Sequence, residues 1–186
     1  MAEHTTKEFS VLQIAFNLTA ACFISGAIIA GTYFFTAPIA AQKAIETKNN
    51  TMKALVKEAD TFKPVAGKTD WYTATKGGKT LAYVIPGESK GYGGKIKMLV
   101  AITPEGKVIN YEILVHNETP GLGDNAAKEP FKKQFAGKGA AELEVTKDPS
   151  NTKNIQAMTG ATISSKAVVK GVKEAVDEVV QFAGGK

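Results

Sequence analysis

Between residues 11 and 41 the chain carries no charged side chain, and nothing else in it constrains the fold as strongly. Residues 12–37 are long enough to cross about 30 Å of hydrocarbon as one helix, which satisfies its own backbone hydrogen bonds. The run exceeds a signal-peptide core, and no cleavage site comes after it. It therefore reads as a retained transmembrane helix over residues 11–38, ended by Pro38. Ala21, Ser25 or Gly26, and Ala30 share one face of that helix. Gly26 and Ala30 form a small-xxx-small pair, the spacing that lets a second helix approach closely. Gln13 and Asn17 add polar groups better served by a protein partner than by lipid, although a lone anchor with its polar residues near the interface remains the alternative. Lys43, Lys48, Lys53 and Lys57 come after the run, whereas residues 1–10 hold one lysine and two acids. By the positive-inside rule alone, the remainder of the chain would stay in the cytoplasm.

Composition bounds the chain beyond the anchor. Of 186 residues, 44% are hydrophobic, enough for one globular domain after the membrane segment. The net charge is +5, and every one of the 23 basic residues is lysine. Bidentate clamping of phosphate or nucleic acid uses arginine, so these scattered lysines read as a solvated surface and no nucleic-acid partner is expected. Cys22 is the only cysteine. It excludes an intrachain disulfide and a cysteine-ligated iron–sulfur cluster. The stretch before it departs from a lipoprotein signal at Thr19, so a buried, inert thiol is expected. His4 and His116 are far apart, and no metal site is expected.

Residues 39–70 read as a helical connector, with Ile45, Met52, Leu55 and Val56 as its apolar contacts. Short strands are expected at 71–75 and 81–85, a glycine-rich loop at 86–94, and a buried strand at 95–103. Pro104-Glu105-Gly106 turns the chain into a strand at 108–115. Pro130 starts a helix containing Phe131 and Phe135, and residues 142–146 form a further strand. From residue 164 to 182, Val168, Val172, Ala175, Val176, Val179 and Val180 recur at helical spacing, and the helix stops at Gly184-Gly185. The fold class is α+β: a small antiparallel sheet flanked by helices, in one domain over residues 71–186. The tail covers residues 1–10.

Two loops stand out. Thr159-Gly160-Ala161-Thr162 sits just before the C-terminal amphipathic run. A helix N-terminus there offers free amides and a dipole suited to an anion such as a phosphate ester. A plain N-cap is the simpler alternative. Glu118-Thr119-Pro120-Gly121-Leu122-Gly123 comes directly after a strand, and Pro120-Gly121 fits the centre of a type II turn. Such a turn presents backbone polar groups beside an apolar Leu122, the mixture that a flat heterocycle requires.

Together with Gly91-Tyr92-Gly93-Gly94, these two loops resemble the FMN-binding domain of the RnfG and NqrC proteins, subunits of ion-translocating membrane oxidoreductase complexes. The resemblance runs from the anchor to the C-terminal helix and is closer to RnfG, since large insertions are absent. It implies one covalent FMN, joined by a phosphoester to Thr162. Thr159, Gly160, Ala161 and Ser164 would surround the attachment point. Thr119, Gly121, Leu122 and Gly123 would lie along the ring; Glu118 would either bond a ring edge or brace the turn, and Tyr92 either stack or pack. Lys166 either neutralises the phosphodiester or is solvated, and His116 is either a surface residue at a strand end or a proton relay. No catalytic acid, base or nucleophile pair is implied, because the flavin carries the chemistry.

The same resemblance implies an electron-relay subunit of an Rnf-type ferredoxin:NAD oxidoreductase, a translocase complex in which this subunit does not turn over alone. Other membrane subunits and lipid would be its partners. NAD would not bind it directly, and no GxGxxG fingerprint occurs. Its place would be the cytoplasmic membrane, single-pass, with the N-terminus inside and the flavin domain outside, against the charge rule. An NqrC-like subunit of a sodium-pumping NADH:quinone oxidoreductase, or a non-catalytic anchored flavin-binding or assembly module, are the alternatives. One departure bears on them: Gln156 stands where the family usually has an aspartate, six residues before the modified threonine.

Overall fold

A computed structural model describes residues 10–184, so residues 1–9 of the expected tail, His4 and Gly185 lie outside the described residues. The chain divides into two units at Thr47/Lys48. The first consists of the greater part of α1 (Val11–Leu55). Among the described residues α1 is the one helix long and apolar enough to cross a membrane, and nothing in its apolar window is buried. Leu12, Phe16, Phe23, Ile28 and Phe34 all stand on the outer surface of the helix, as does Cys22, where a lipid phase or a neighbouring helix would cover them. Pro38 does not end the helix as expected but lies inside it. A proline removes one backbone bond and strains one turn; intact bonds on both sides carry α1 past it.

The second unit is built on a five-stranded antiparallel sheet, with β1 (Thr61–Pro64), β2 (Tyr72–Lys76), β3 (Lys79–Lys90), β4 (Lys95–Ile102) and β5 (Val108–Val115) side by side in chain order. The helix expected over residues 39–70 forms as far as Leu55; beyond it the chain supplies an edge strand, β1, paired with β2. Met52, Leu55 and Val56 are buried as expected, but Ile45 is exposed.

Alternation in the strands builds two cores, because successive side chains of a strand point to opposite faces. Ile96, Met98, Val100 and Ile102 of β4 join one core; Leu99 and Ala101 join the other. The first core is covered by α3 (Thr162–Gly184), through Val168, Val172, Ala175, Val176 and Val179. Each valine so buried contributes about 1.5 kcal/mol or more. Val180, expected on the same face, is exposed. The second core receives Met52, Leu55 and Val56 from the end of α1.

Residues 86–90 are strand, not the expected loop. Pro86 is tolerated because β3 has no β2 partner beyond Val84, and an edge position needs no donor. Gly87 serves the helix: a Cβ there would meet the Gly171 carbonyl oxygen at 3.1 Å and Met98 Cγ at 3.2 Å. The two glycines let α3 lie directly on the strand, where the Ser89 hydroxyl donates to the Ala167 carbonyl at 2.6 Å.

Past β5 come a 3-10 turn (Gly123–Ala127) and a short α2 (Glu129–Lys132) with Pro130 in its first turn. Phe131 and Phe135 are buried, with Phe135 edge-on to Tyr111 at 4.8 Å between ring centres. Only part of the strand expected at 142–146 forms. Residues Ala140–Glu142 are a 3-10 turn, and β6 (Val145–Thr146) pairs in parallel with β7 (Ile155–Gln156). That two-stranded parallel ladder had no signature in the sequence.

Candidate functional site

The two loops singled out in the sequence meet at one cavity of about 660 Å³. Tyr92, Thr119, Leu122, Gly123, Gly160, Ala161, Thr162 and Ser164 line it, together with Ile163 and Lys147. Of the expected site residues, Glu118, Gly121 and Thr159 are not on this wall.

The first wall grows from the end of β5. Gly121 takes a φ of 76°, and the Leu122 amide donates to the Thr119 carbonyl at 3.1 Å, as a type II turn requires. Asn125 Nδ2 holds the Gly121 carbonyl at 2.8 Å. Gly121 thus shapes the turn, while Thr119 and Leu122 face the cavity. From beneath, the buried Tyr111 hydroxyl donates to the Ala126 carbonyl at 2.6 Å. Burial pushes that phenol's ionisation far up, with Glu112 and Glu129 adding repulsion, so it stays a donor.

Glu118 is buried and braces the turn rather than opening into the cavity. Its carboxylate accepts from the Gly93 amide at 3.0 Å, from the Tyr92 amide at 3.3 Å, and from the Ser164 hydroxyl in a short bond. One side chain so ties the 91–94 turn to the first turn of α3. Glycines make room for it. A Cβ on Gly123 would meet Ser164 Oγ at 2.6 Å and Glu118 Oε2 at 2.7 Å; one on Gly91 would strike Glu118 Oε1, and one on Gly93 the Asn117 carbonyl. His116 Nδ1 accepts from the Glu118 amide at 3.2 Å, which fixes the strand end.

The second wall is the start of α3. Gly160 has a φ of 74°, and a Cβ there would approach Leu122 Cδ2 at 3.2 Å, so the two loops touch at this point. Ser165, fully buried, accepts from the Met158 amide and donates to the Ala161 carbonyl, both at 2.9 Å. The Ser165 amide is bonded to the Ala161 carbonyl at 3.0 Å. That leaves the amides of Thr162, Ile163 and Ser164 without a partner among the described residues, the usual state of a first helical turn. Thr162 is half-buried and opens α3; its hydroxyl has no protein partner among the described residues. Tyr92 and Ile163 stand exposed at the rim.

Lys166 faces a different hollow with Leu143, Val169 and Lys170, away from Thr162. Lys147 lines the cavity instead, and sequence reasoning missed it. A lysine in a polar loop has no periodicity or spacing to mark it; only the parallel pairing of β6 and β7 brings it to the site. Among the described residues no cluster suited to a metal ion occurs.

The donor set fits a flavin mononucleotide. The volume lies in the range of cofactor sites, one wall is apolar, and the other presents free amides and one ammonium suited to a phosphate. Residues 91–177 match the family model of the FMN-binding domain. Two solved structures share the fold. One is the C subunit of a Na(+)-translocating NADH-quinone reductase from Parabacteroides distasonis, 21% identical, with a TM-score of 0.51 over 61% of each chain. The other is Shewanella oneidensis NqrC, 18% identical, with a TM-score of 0.53 over 70% of this chain and 74% of that one. The class is therefore that of FMN-binding domains.

Within that class, the chain is 63% identical to the G subunit of the proton-translocating ferredoxin:NAD(+) oxidoreductase complex of Clostridium ljungdahlii, over 95% of this chain and 96% of that protein. It is 29% identical to the G subunit of the Na(+)-translocating ferredoxin:NAD(+) oxidoreductase complex of Acetobacterium woodii, over 88% and 91%. The chain belongs to the RnfG family, the G subunits of ion-translocating oxidoreductase complexes.

Proposed function

We propose that this chain is the membrane-anchored electron-relay subunit of an Rnf-type ferredoxin:NAD oxidoreductase complex, carrying one FMN joined by a phosphoester to Thr162. The observation that carries the reading is the state of Thr162: at the first position of α3, lining the cavity, its hydroxyl and three neighbouring amides have no partner among the described residues. When bound, the flavin supplies the one- and two-electron redox chemistry. The chain supplies position. Leu122, Thr119 and Tyr92 would hold the ring, and Gly160 and Gly123 keep side-chain bulk out of the cavity wall. Gly121 and Glu118 act one layer behind, by holding the turn and the two loops in register. Thr159 shapes the approach to Thr162 from the neighbouring hollow.

With α1 as its anchor, the flavin domain works at a membrane. We assign α1 as a single span of the cytoplasmic membrane, N-terminus inside and flavin domain outside. The lysines after the span oppose that orientation, but large domains translocate largely regardless of such charge. Gly26 and Ala30 leave a groove for a neighbouring membrane subunit: nothing lies within 4 Å of a Cβ placed on Gly26. The site offers no dinucleotide fingerprint, so NAD is assigned to other subunits of the complex.

Co-expression with a flavin transferase tests the reading. Intact mass should show one FMN less water on the wild type and none on Thr162→Ala. An unmodified wild type, beside a modified family member, would overturn covalent attachment and favour a non-catalytic module.

A further inference from the structure

Around the attachment point, the acidic and serine side chains are engaged with the protein itself. Glu118 and Ser164 are bonded to each other, and Glu118 also to two amides. Ser165 is bonded to Met158 and Ala161. Thr162 and Lys147 differ: neither side chain has a hydrogen bond or ion pair to another described residue. Nearby lysines that could substitute are accounted for. Lys95 and Lys97 lie beside Glu88, Lys128 pairs with Asp124, and Lys166 faces another hollow.

Among the described residues, Lys147 is the one charged residue on the cavity wall. It also lines a second hollow of about 380 Å³ with Thr159, Gly160 and Thr162. The two hollows share Lys147, Gly160 and Thr162, so the exposed Lys147 lies on the Thr162 side of the site, whereas Tyr92 and Leu122 line the first hollow alone. Its backbone is fixed on both sides. The Ala157 amide donates to the Thr146 carbonyl at 2.8 Å, and Gln156 Nε2 donates to the Asp148 and Asn151 carbonyls. The residue that departs from the family pattern, Gln156, is therefore the one that holds the loop carrying Lys147. An aspartate has no donor for those carbonyls.

We propose that Lys147 is the counter-ion of the phosphate carried on Thr162, with its loop position set by the Gln156 side chain. This rests on the Thr162 attachment reading. A phosphodiester keeps one negative charge, and free helix amides stabilise it only in part. A lone lysine within reach, on a loop pinned beside the attachment point, completes the neutralisation.

Lysine acetylation of the full chain in detergent tests this. Flavin-bearing wild type and flavin-free Thr162→Ala are treated with an N-hydroxysuccinimide acetyl ester, and the modified peptides are quantified, with Lys170 as an exposed reference. Lys147 should react about fivefold more slowly in the flavin-bearing protein, the size of a partly exposed ion pair. That protection should shrink as salt rises from about 0.05 to about 0.5 M, because screening weakens ion pairs and leaves mere steric cover unchanged. Equal rates in the two proteins, or protection indifferent to salt, would overturn the counter-ion while leaving the attachment intact. A wild type without the flavin mass would overturn the attachment, and the counter-ion with it.

Discussion

The two walls of the cavity use their polar groups in opposite ways. On the wall from residues 91–94 and 118–123, the charged group is turned inward: Glu118 is bonded to three donors, and Gly91, Gly93 and Gly123 leave no room for a Cβ around it, while Thr119 and Tyr92 remain on the surface. On the wall from the start of α3, three amides, the Thr162 hydroxyl and the Lys147 ammonium are left without protein partners among the described residues. Buried polar groups are expensive to leave unpaired, whereas unpaired groups at a cavity are available to a ligand. On the proposed reading, the contrast separates residues that build the site from residues left available to a ligand, even within one short motif.

Variants on the inward wall should therefore unfold the domain, and variants on the open wall should not. Gly93→Ala is expected to have the largest effect, more than about 3 kcal/mol in urea denaturation, because its Cβ meets the Asn117 backbone, which cannot move aside cheaply. Glu118→Ala should cost about 3 kcal/mol by the same measurement, since it leaves two amides and a buried hydroxyl without an acceptor. Loss of stability within about 0.5 kcal/mol for either variant would erase the distinction.

Gln156→Asp should cost about 1–2 kcal/mol, because two carbonyls lose their donor and gain a facing carboxylate. It should also fail to improve flavin loading, although it places there the residue that the resemblance leads one to expect. Thr162→Ala should change stability by less than about 0.5 kcal/mol while abolishing covalent flavin. That variant sharpens the contrast most, for it removes chemistry and leaves the fold.

Glu142, which lines neither wall, supplies a reference for a half-buried carboxyl. The Gly139 amide at 3.0 Å and Lys107 hold it below its ordinary value of 4.5. Its contribution is fully present above that value and is lost as pH falls through the lower folded value. Melting temperatures taken against pH should put Glu142→Gln slightly below wild type at neutral pH, with the two curves converging as pH falls below about 4.5.

The parts of the molecule legible in the sequence are those where the physics is local. The α3 face was legible because helical spacing of Val168, Val172 and Val176 needs no partner to be seen. β4 and β5 were legible from alternation and the Pro104-Glu105-Gly106 turn. Pro86 and Gly87 misled, because their strand position depends on the end of β2 and on the closeness of Gly171, both distant in sequence. Pro38 misled for a related reason: a local breaker was overruled by a helix that continues on both sides. At the site, Thr162 and the two loops were legible as motifs. Which role Glu118 takes was not, since both roles need the same residue type and only burial separates them. Lys147 left no trace, because the β6–β7 pairing that delivers it spans a polar loop without periodicity.

The claim that the open wall carries the chemistry is tested most directly by locating the flavin on the chain. Trypsin should release residues 154–166 as one peptide, between Lys153 and Lys166, containing Thr159, Thr162, Ser164 and Ser165. Tandem mass spectrometry of that peptide from flavin-bearing protein should place the FMN phosphoester on Thr162 alone. FMN on Ser164 or Ser165, whose hydroxyls are engaged with Glu118 and Ala161, or on Thr159 outside the cavity wall, would contradict the account.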